Sequence, residues 1–147
     1  MRPVYASNTH IPELNAQTGA FVSQLCFGRP DQIERYCSMA VFHGEQLVAG
    51  TLYHNWQPDS GVIELTSAST DRRWLTKPVV RAMFHMAFGM IGAQLVALRV
   101  SERNAGMVAI AQRFGFQGVL IPRLRGRDES EWIFTLSDDD WRASRWS

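Results

Sequence analysis

Val62-Ile63-Glu64-Leu65-Thr66-Ser67-Ala68-Ser69-Thr70-Asp71-Arg72-Arg73-Trp74-Leu75-Thr76-Lys77-Pro78 is the passage on which the fold of this 147-residue chain turns. Asp59-Ser60-Gly61 supplies a turn ahead of it, and Val62 to Ser69 reads as a strand. From Thr70 the pattern changes. A polar loop with two adjacent arginines leads to Pro78, beyond which Val80, Met83, Phe84, Ala87 and Ile91 recur at helical spacing, with Gly92 as the stop. A loop that runs into a helix presents the helix's free N-terminal amides, which carry partial positive charge and hold anions. Arg72, Arg73 and Lys77 add full charges within the same few residues. The same composition also fits a solvated basic loop that does no more than start a helix. Neither glycine-rich phosphate loop, G-x-x-x-x-G-K or G-x-G-x-x-G, occurs in the chain. A phosphate site here therefore rests on helix amides and side chains.

Outward from that passage, Ser38 to His43 and Leu47 to Trp56 flank Gly44-Glu45-Gln46 and read as an antiparallel hairpin, which Val62 to Ser69 extends to a meander. Upstream, an irregular start leads to Pro12, which opens a helix ending near Gly28 with Leu14, Phe21, Val22 and Leu25 on its apolar side. Downstream, Leu95 to Val100 is a nearly continuous apolar run, the pattern of a central strand covered on both faces. Asn104 stands where an N-cap belongs, and Met107, Ile110, Ala111 and Phe114 form the buried stripe of a helix stopped by Gly115. Phe116 to Leu124 and Glu131 to Ser137 read as two strands joined by Arg125-Gly126-Arg127-Asp128, and a capped turn from Ser137 to Arg142 follows. This order predicts an α+β (mixed α/β) fold in one domain over residues 1–147.

Composition agrees: 46% hydrophobic and 20% charged residues suit a chain with a real core and exclude disorder as its main state. The net charge of +1 hides an uneven distribution, since residues 72–127 carry 10 basic and 1 acidic side chains while both flanks are acidic. A basic middle attracts phosphates. The two cysteines, Cys26 and Cys37, lack zinc-site spacing and read as reduced core thiols, so no metal is expected. The N-terminal residues carry no apolar leader segment, and Ala82 to Leu98 is interrupted by His85, Gly89, Gly92 and Gln94. The expectation is a cytoplasmic protein without a membrane span.

The element order from Ser38 to Ser137 resembles the GCN5-related N-acetyltransferase (GNAT) superfamily. The segment Asn104-Ala105-Gly106-Met107-Val108-Ala109-Ile110-Ala111-Gln112-Arg113-Phe114-Gly115-Phe116 is similar to the family's asparagine, helix and Leu-Gly-Phe sequence after its fifth strand. Arg73-Trp74-Leu75-Thr76, with the helix and Gly92 after it, resembles the short phage-type members, and the ending with Trp141 resembles the ribosomal-protein N-terminal acetyltransferases. The resemblance implies a mainly antiparallel mixed sheet with flanking helices, and acetyl-CoA in a cleft between two splayed parallel strands, Val62 to Ser69 and Leu95 to Val100. It places the family's pyrophosphate loop on Arg72, Arg73, Trp74, Leu75, Thr76, Lys77 and Pro78, where neither of the family's loop glycines is present. Asn104 carries over as a residue near the pantetheine or the pyrophosphate, with N-capping as a compatible structural role. Within the basic middle, the cluster at Arg72, Arg73 and Lys77 reads as a site for one cofactor's phosphates, with Arg81, Arg103 and Arg113 as outer contacts. The family's frequent tyrosine, seven residues after the asparagine, is Ala111 here.

Acetyl transfer to an amine needs a neutral nucleophile, a polarised thioester carbonyl and a stable leaving thiolate. The expected polarising amide lies where the Val62 to Ser69 strand bulges, at Thr66, Ser67 or Ala68. Glu64 or His54 is the expected base, each with a surface or edge role as the plain alternative, and Glu102 is a third candidate. Ser67 or a water would stand in for the missing tyrosine. The acidic flanks, through Asp59, Glu64 and Asp138 to Asp140, favour a cationic acceptor among protein N-termini, lysines and small amines. Two other readings remain open: a non-catalytic acyl-CoA-binding regulator on the same fold, and a nucleic-acid-binding module using the basic middle. Trp132, Trp141 and Trp146 cover a partner surface or pack internally, and a homodimer is left open.

Overall fold

The computed structural model describes all residues from Met1 to Ser147. Seven strands form one sheet in the order β1-β2-β3-β4-β5-β7-β6: β1 Arg2–Ala6, β2 Tyr36–His43, β3 Gln46–Gln57, β4 Val62–Ser69, β5 Leu95–Ser101, β6 Gln117–Ile121 and β7 Glu131–Ser137. Every neighbouring pair is antiparallel except β4 with β5. The helices are α1 Pro12–Phe27, α2 Lys77–Phe84, which continues as a π-helix over His85–Ile91, α3 Ala105–Arg113 and α4 Asp138–Ala143.

On one face of the sheet Val41, Tyr53, Ile63, Leu65, Val96, Val100, Phe134 and Leu136 meet Val80, Met83, Phe84 and Phe88 from α2 and its π extension, with Ala111 from α3 and Trp141 from α4. This is the main core, and Trp141 lies within it at 4.5 Å between ring centroids from Phe84. The π-helical segment ends at Gly92 with φ 84, a left-handed turn that glycine adopts without the Cβ penalty of other residues. The opposite face is covered by α1 over β2, β3 and β4.

Four sequence expectations change. The irregular start is β1, an edge strand paired with β2 from Arg2↔Phe42 to Ala6↔Ser38, where Pro3 is tolerated because an edge has one unpaired side. The buried side of α1 is Asn15, Thr18, Gly19, Val22 and Ser23, while Leu25 is 49% exposed. The reason is close polar packing: the Ser38 hydroxyl donates to Asn15 Oδ1 at 2.6 Å, and a Cβ on Gly19 would stand 1.8 Å from the Tyr36 hydroxyl oxygen. Cys26 is exposed at the end of α1 and is not a core thiol, while Cys37 is half-buried. Finally, β6 is shorter than Phe116 to Leu124, because Phe116 turns into the core and Pro122 and Arg123, at φ 67, end the strand. No helix is long and apolar enough to cross a membrane.

Candidate active site

The single parallel contact is short. Strands β4 and β5 pair only at Val62↔Leu95, Ile63↔Val96 and Glu64↔Ala97. Beyond Glu64 they part, because β3 holds β4 as far as Ser69 while β7 holds β5 as far as Ser101, and the sheet's twist draws the two pairs away from each other. The Thr70 amide donates to the Val48 carbonyl at 2.9 Å, which sets the phase of the β3–β4 ladder. Even-numbered residues of β4 therefore bond to β3, and the amide and carbonyl of Ser67 face the gap. There the Ser67 carbonyl accepts a contact from Cys26 Sγ at 3.5 Å.

This phase separates the three residues considered for polarising a carbonyl. The amide of Ser67 opens on the gap, whereas those of Thr66 and Ala68 turn towards β3. No bulge interrupts β4 at these positions. The register instead shifts between His54 and Gln57 on β3, where Asn55 adopts φ 52. That irregularity brings Asn55 Nδ2 to 3.3 Å from Glu64 Oε1.

Side chains follow the strand alternation. His54, Glu64 and Thr66 share the α1 side, with His54 Nε2 2.8 Å from Thr66 Oγ1 and 3.8 Å from Glu64 Oε2. Glu64 stands at the last parallel rung, so this cluster lies at the point where the strands separate. Desolvation lowers the His54 pKa below its usual 6.5, and the Glu64 charge opposes that shift without reversing it. The ring is therefore mostly neutral at pH 7. The Ser67 hydroxyl points to the other face, bonded to Thr51 Oγ1 at 2.8 Å, and does not join His54 and Glu64. Glu102 also lies apart, its Oε1 accepting from the Ser130 amide at 3.0 Å.

At the far end of β4 the loop turns on Asp71, whose carboxylate accepts from Arg73 at Nε (3.1 Å), Nη2 (3.0 Å) and the backbone amide (2.9 Å). These bonds lower the Asp71 pKa to about 2. They also occupy Arg73, leaving Arg72 and Lys77 as the exposed cations without ion pairs. The Trp74 side chain is buried in the main core and anchors the loop, so it does not line a phosphate surface. Thr76 is the N-cap residue of α2, yet its hydroxyl is buried with no hydrogen-bond partner. In the first turn of α2 the amides of Lys77 and Val79 precede any intrahelical acceptor, and Pro78 has none to offer. Asn104 caps α3, its Oδ1 accepting from the Met107 amide at 3.2 Å, and Ala111 is buried.

The splayed strand pair with a helix N-terminus beyond it, in this strand order, is the deciding feature. The chain has the fold of the GCN5-related N-acetyltransferases. A GCN5-related N-acetyltransferase from Brucella melitensis superimposes with a TM-score of 0.67 at 15% identity, covering 97% of this chain and 77% of that one. Forms of the spermidine/spermine N-acetyltransferase SpeG from Vibrio cholerae reach 0.73 at 7% identity, covering 97% and 98%. A protein from Chromobacterium violaceum described as a probable acetyltransferase of the GNAT family matches at 0.60 with 25% identity, covering 73% and 61%. The chain spans about three fifths of the length of this and two other acetyltransferase structures it matches. No protein-family model and no curated protein matches the sequence.

Within this GNAT fold, one group near the gap escaped the sequence reading. Strand β5 is central but covered on one face only. Its other face carries Ala97, Arg99 and Ser101, and Ser101 pairs with Glu131 of β7. Glu131 is 2% exposed and accepts from Arg99 Nε and Arg125 Nε, each at 2.6 Å. The Arg125 charge also offsets part of the rise in the Cys26 thiol pKa that desolvation of its Sγ causes. The Arg125 guanidinium therefore lies near enough to the end of α1 for its charge to act on Cys26. Arg99, the one charge in the apolar run Leu95 to Val100, was the available signal. The acidic cluster Asp138 to Asp140 follows Ser137, which pairs with Leu95 at the closed end of the gap, so it does not line the opening.

Proposed function

We propose that the protein is an acetyl-CoA-dependent N-acetyltransferase that moves an acetyl group to a primary amine by direct attack in a ternary complex. One observation carries this reading: the parting of β4 from β5 immediately after Glu64, which leaves the Ser67 amide open beside a carboxylate and a neutral imidazole. The gap would take the pantetheine arm alongside β4. Arg72, Lys77 and the Lys77 amide at the start of α2, with the unpartnered Thr76 hydroxyl behind them, would hold the pyrophosphate. Asn104 stands at the neighbouring helix N-terminus, where it is already engaged as a cap.

The residues then divide the chemistry as follows. Glu64 and His54, directly or through a water, take the proton that frees the amine's lone pair. As nitrogen bonds to the carbonyl carbon, the Ser67 amide donates to the oxygen on which negative charge builds. The carbon–sulfur bond breaks with its electron pair on sulfur, and the second amine proton passes to solvent. With Ala111 in the place of the family's tyrosine, the thiolate, a far better leaving group than an alkoxide, departs unassisted or takes its proton from water.

A second reading, acyl-CoA binding without turnover, draws on Pro78 and the absence of loop glycines. The nucleic-acid reading loses ground because Arg73 and Arg103 are each paired with a carboxylate of their own, which breaks up the basic middle as a continuous phosphate-binding face. Calorimetric titration with acetyl-CoA tests both acyl-CoA readings, and no heat at millimolar ligand overturns them together. Thiol release with a panel of amines then separates turnover from binding alone.

A further inference from the structure

Strands β5, β7 and β6 have no helix over the face that α1 covers on β2 to β4, and the polar group planted on that open face is Arg99, Glu131 and Arg125. A carboxylate this deeply buried is costly unless paired, and here two guanidinium groups share it. Both use the same edge. Each donates through Nε, one to Oε1 and one to Oε2, so the terminal nitrogens of both arginines have no protein acceptor. The Arg99 side chain is 48% exposed and that of Arg125 30%. Two positive charges on one negative leave a net single positive charge, presented on planar donor groups that match a carboxylate.

The position is as informative as the charge. Glu64 and Ala97 share the last parallel rung, and Arg99 lies two residues further along β5 on the same face. With strand spacing of about 4.8 Å and a rise of about 3.3 Å per residue, the Cα atoms of Glu64 and Arg99 are roughly 8 Å apart. Arg125, held on Glu131 beside Arg99, also lies near enough for its charge to act on Cys26, whose Sγ rests on the Ser67 carbonyl. A guanidinium pair and the proposed proton acceptor thus stand within one small molecule's span.

We propose that Arg99 and Arg125, positioned by Glu131, bind a carboxylate of the acceptor, making the acceptor a small amino acid-type compound with amine and carboxylate in one molecule. This rests on the acetyl-transfer reading above. It replaces the cationic acceptor expected from the acidic flanks, and a polyamine, named as substrate for the SpeG neighbours, is disfavoured by like charge.

The test is thiol release with acetyl-CoA and matched acceptors: free amino acids, their carboxamides, dipeptide amides with an acidic second residue, and spermidine. For the preferred side chain, kcat/KM should favour the free acid over its carboxamide by about 10- to 100-fold, the range of one charge-assisted pair. Arg99→Lys and Arg125→Lys keep a cation beside Glu131 and protect the fold, yet lose the planar fork, so the acid-to-amide ratio should fall towards one. The proposal is overturned if carboxamides, acidic dipeptide amides or spermidine match or exceed every free acid, or if both lysine variants keep the wild-type ratio. Calorimetric titration of amino acid against amide, with and without coenzyme A, reads the subsite independently of turnover. Preferential acid binding without acetyl-CoA binding would sink the transfer reading alone, whereas acetyl-CoA binding without acid preference would sink only the subsite.

Discussion

Glu64→Gln separates two ways in which His54 and Glu64 can share a proton. Glutamine keeps the side-chain volume and an oxygen for Asn55 Nδ2, now 3.3 Å from Oε1, so the loss of stability should be about 1 kcal/mol or less. What disappears is the charge. In the native protein desolvation lowers the His54 pKa, and Glu64 raises it by a smaller amount. Without the carboxylate only the lowering remains, so His54 should protonate at a still lower pH. If Glu64 itself receives the amine proton, kcat falls by about 100-fold or more, the usual contribution of a positioned base. If His54 receives it and Glu64 only tunes the ring, kcat at pH 7 falls a few-fold and the acidic limb of the pH profile moves to lower pH. In that case His54→Gln takes the larger loss. The assay is thiol release at saturating acetyl-CoA over about pH 5 to 9, with melting curves for each variant to confirm folding. Full activity and an unmoved acidic limb in both variants would refute the assignment of the proton to this cluster.

Gly19→Ala should destabilise the protein by about 1–3 kcal/mol, since its Cβ meets the Tyr36 ring, and thermal melting should show most of that cost relieved in a Tyr36→Ala background. Phe134→Ala, at a fully buried site on β7, should cost about 3–5 kcal/mol in urea unfolding. Arg72→Ala and Lys77→Ala should each weaken acetyl-CoA binding by calorimetry, increasingly so at low salt, whereas Arg73→Ala should have a smaller effect because Asp71 already holds that guanidinium. Stability should also fall on acidification in two stages. The His54 contribution is complete above its unfolded pKa near 6.5 and fades as pH drops towards the lower folded value, while that of Asp71 holds above about 3.8 and is lost through about 2.

Local sequence determined much of the scaffold. Val62 to Ser69 and Glu131 to Ser137 occur as strands with the expected bounds, α1 runs from Pro12 to the residue before Gly28, and Asn104 caps α3. These features are encoded by neighbours a few residues apart, through alternation, capping and the left-handed turns that glycine allows. The basic loop was legible for the same reason. Which of its charges are free was not: Arg73 is engaged by Asp71, two residues away, and Trp74 leaves the loop for the core.

Only the tertiary structure decided the partners and the gap. Alternation along β4 already puts the Ser67 hydroxyl and the Glu64 side chain on opposite faces, but the β3–β4 register is what sets His54 beside Glu64 and Thr51 beside Ser67. Glu131 meets Arg99 across 32 residues of sequence because β7 enters the sheet beside β5, a pairing that no local period records. The same register converts an apparent fully covered strand into one with an open, charged face. Chain order and composition therefore specified a strand–loop–helix able to hold an anion. The parting of β4 from β5, and the arginine pair beside it, followed from which strands the sheet joined and where their ladders stopped.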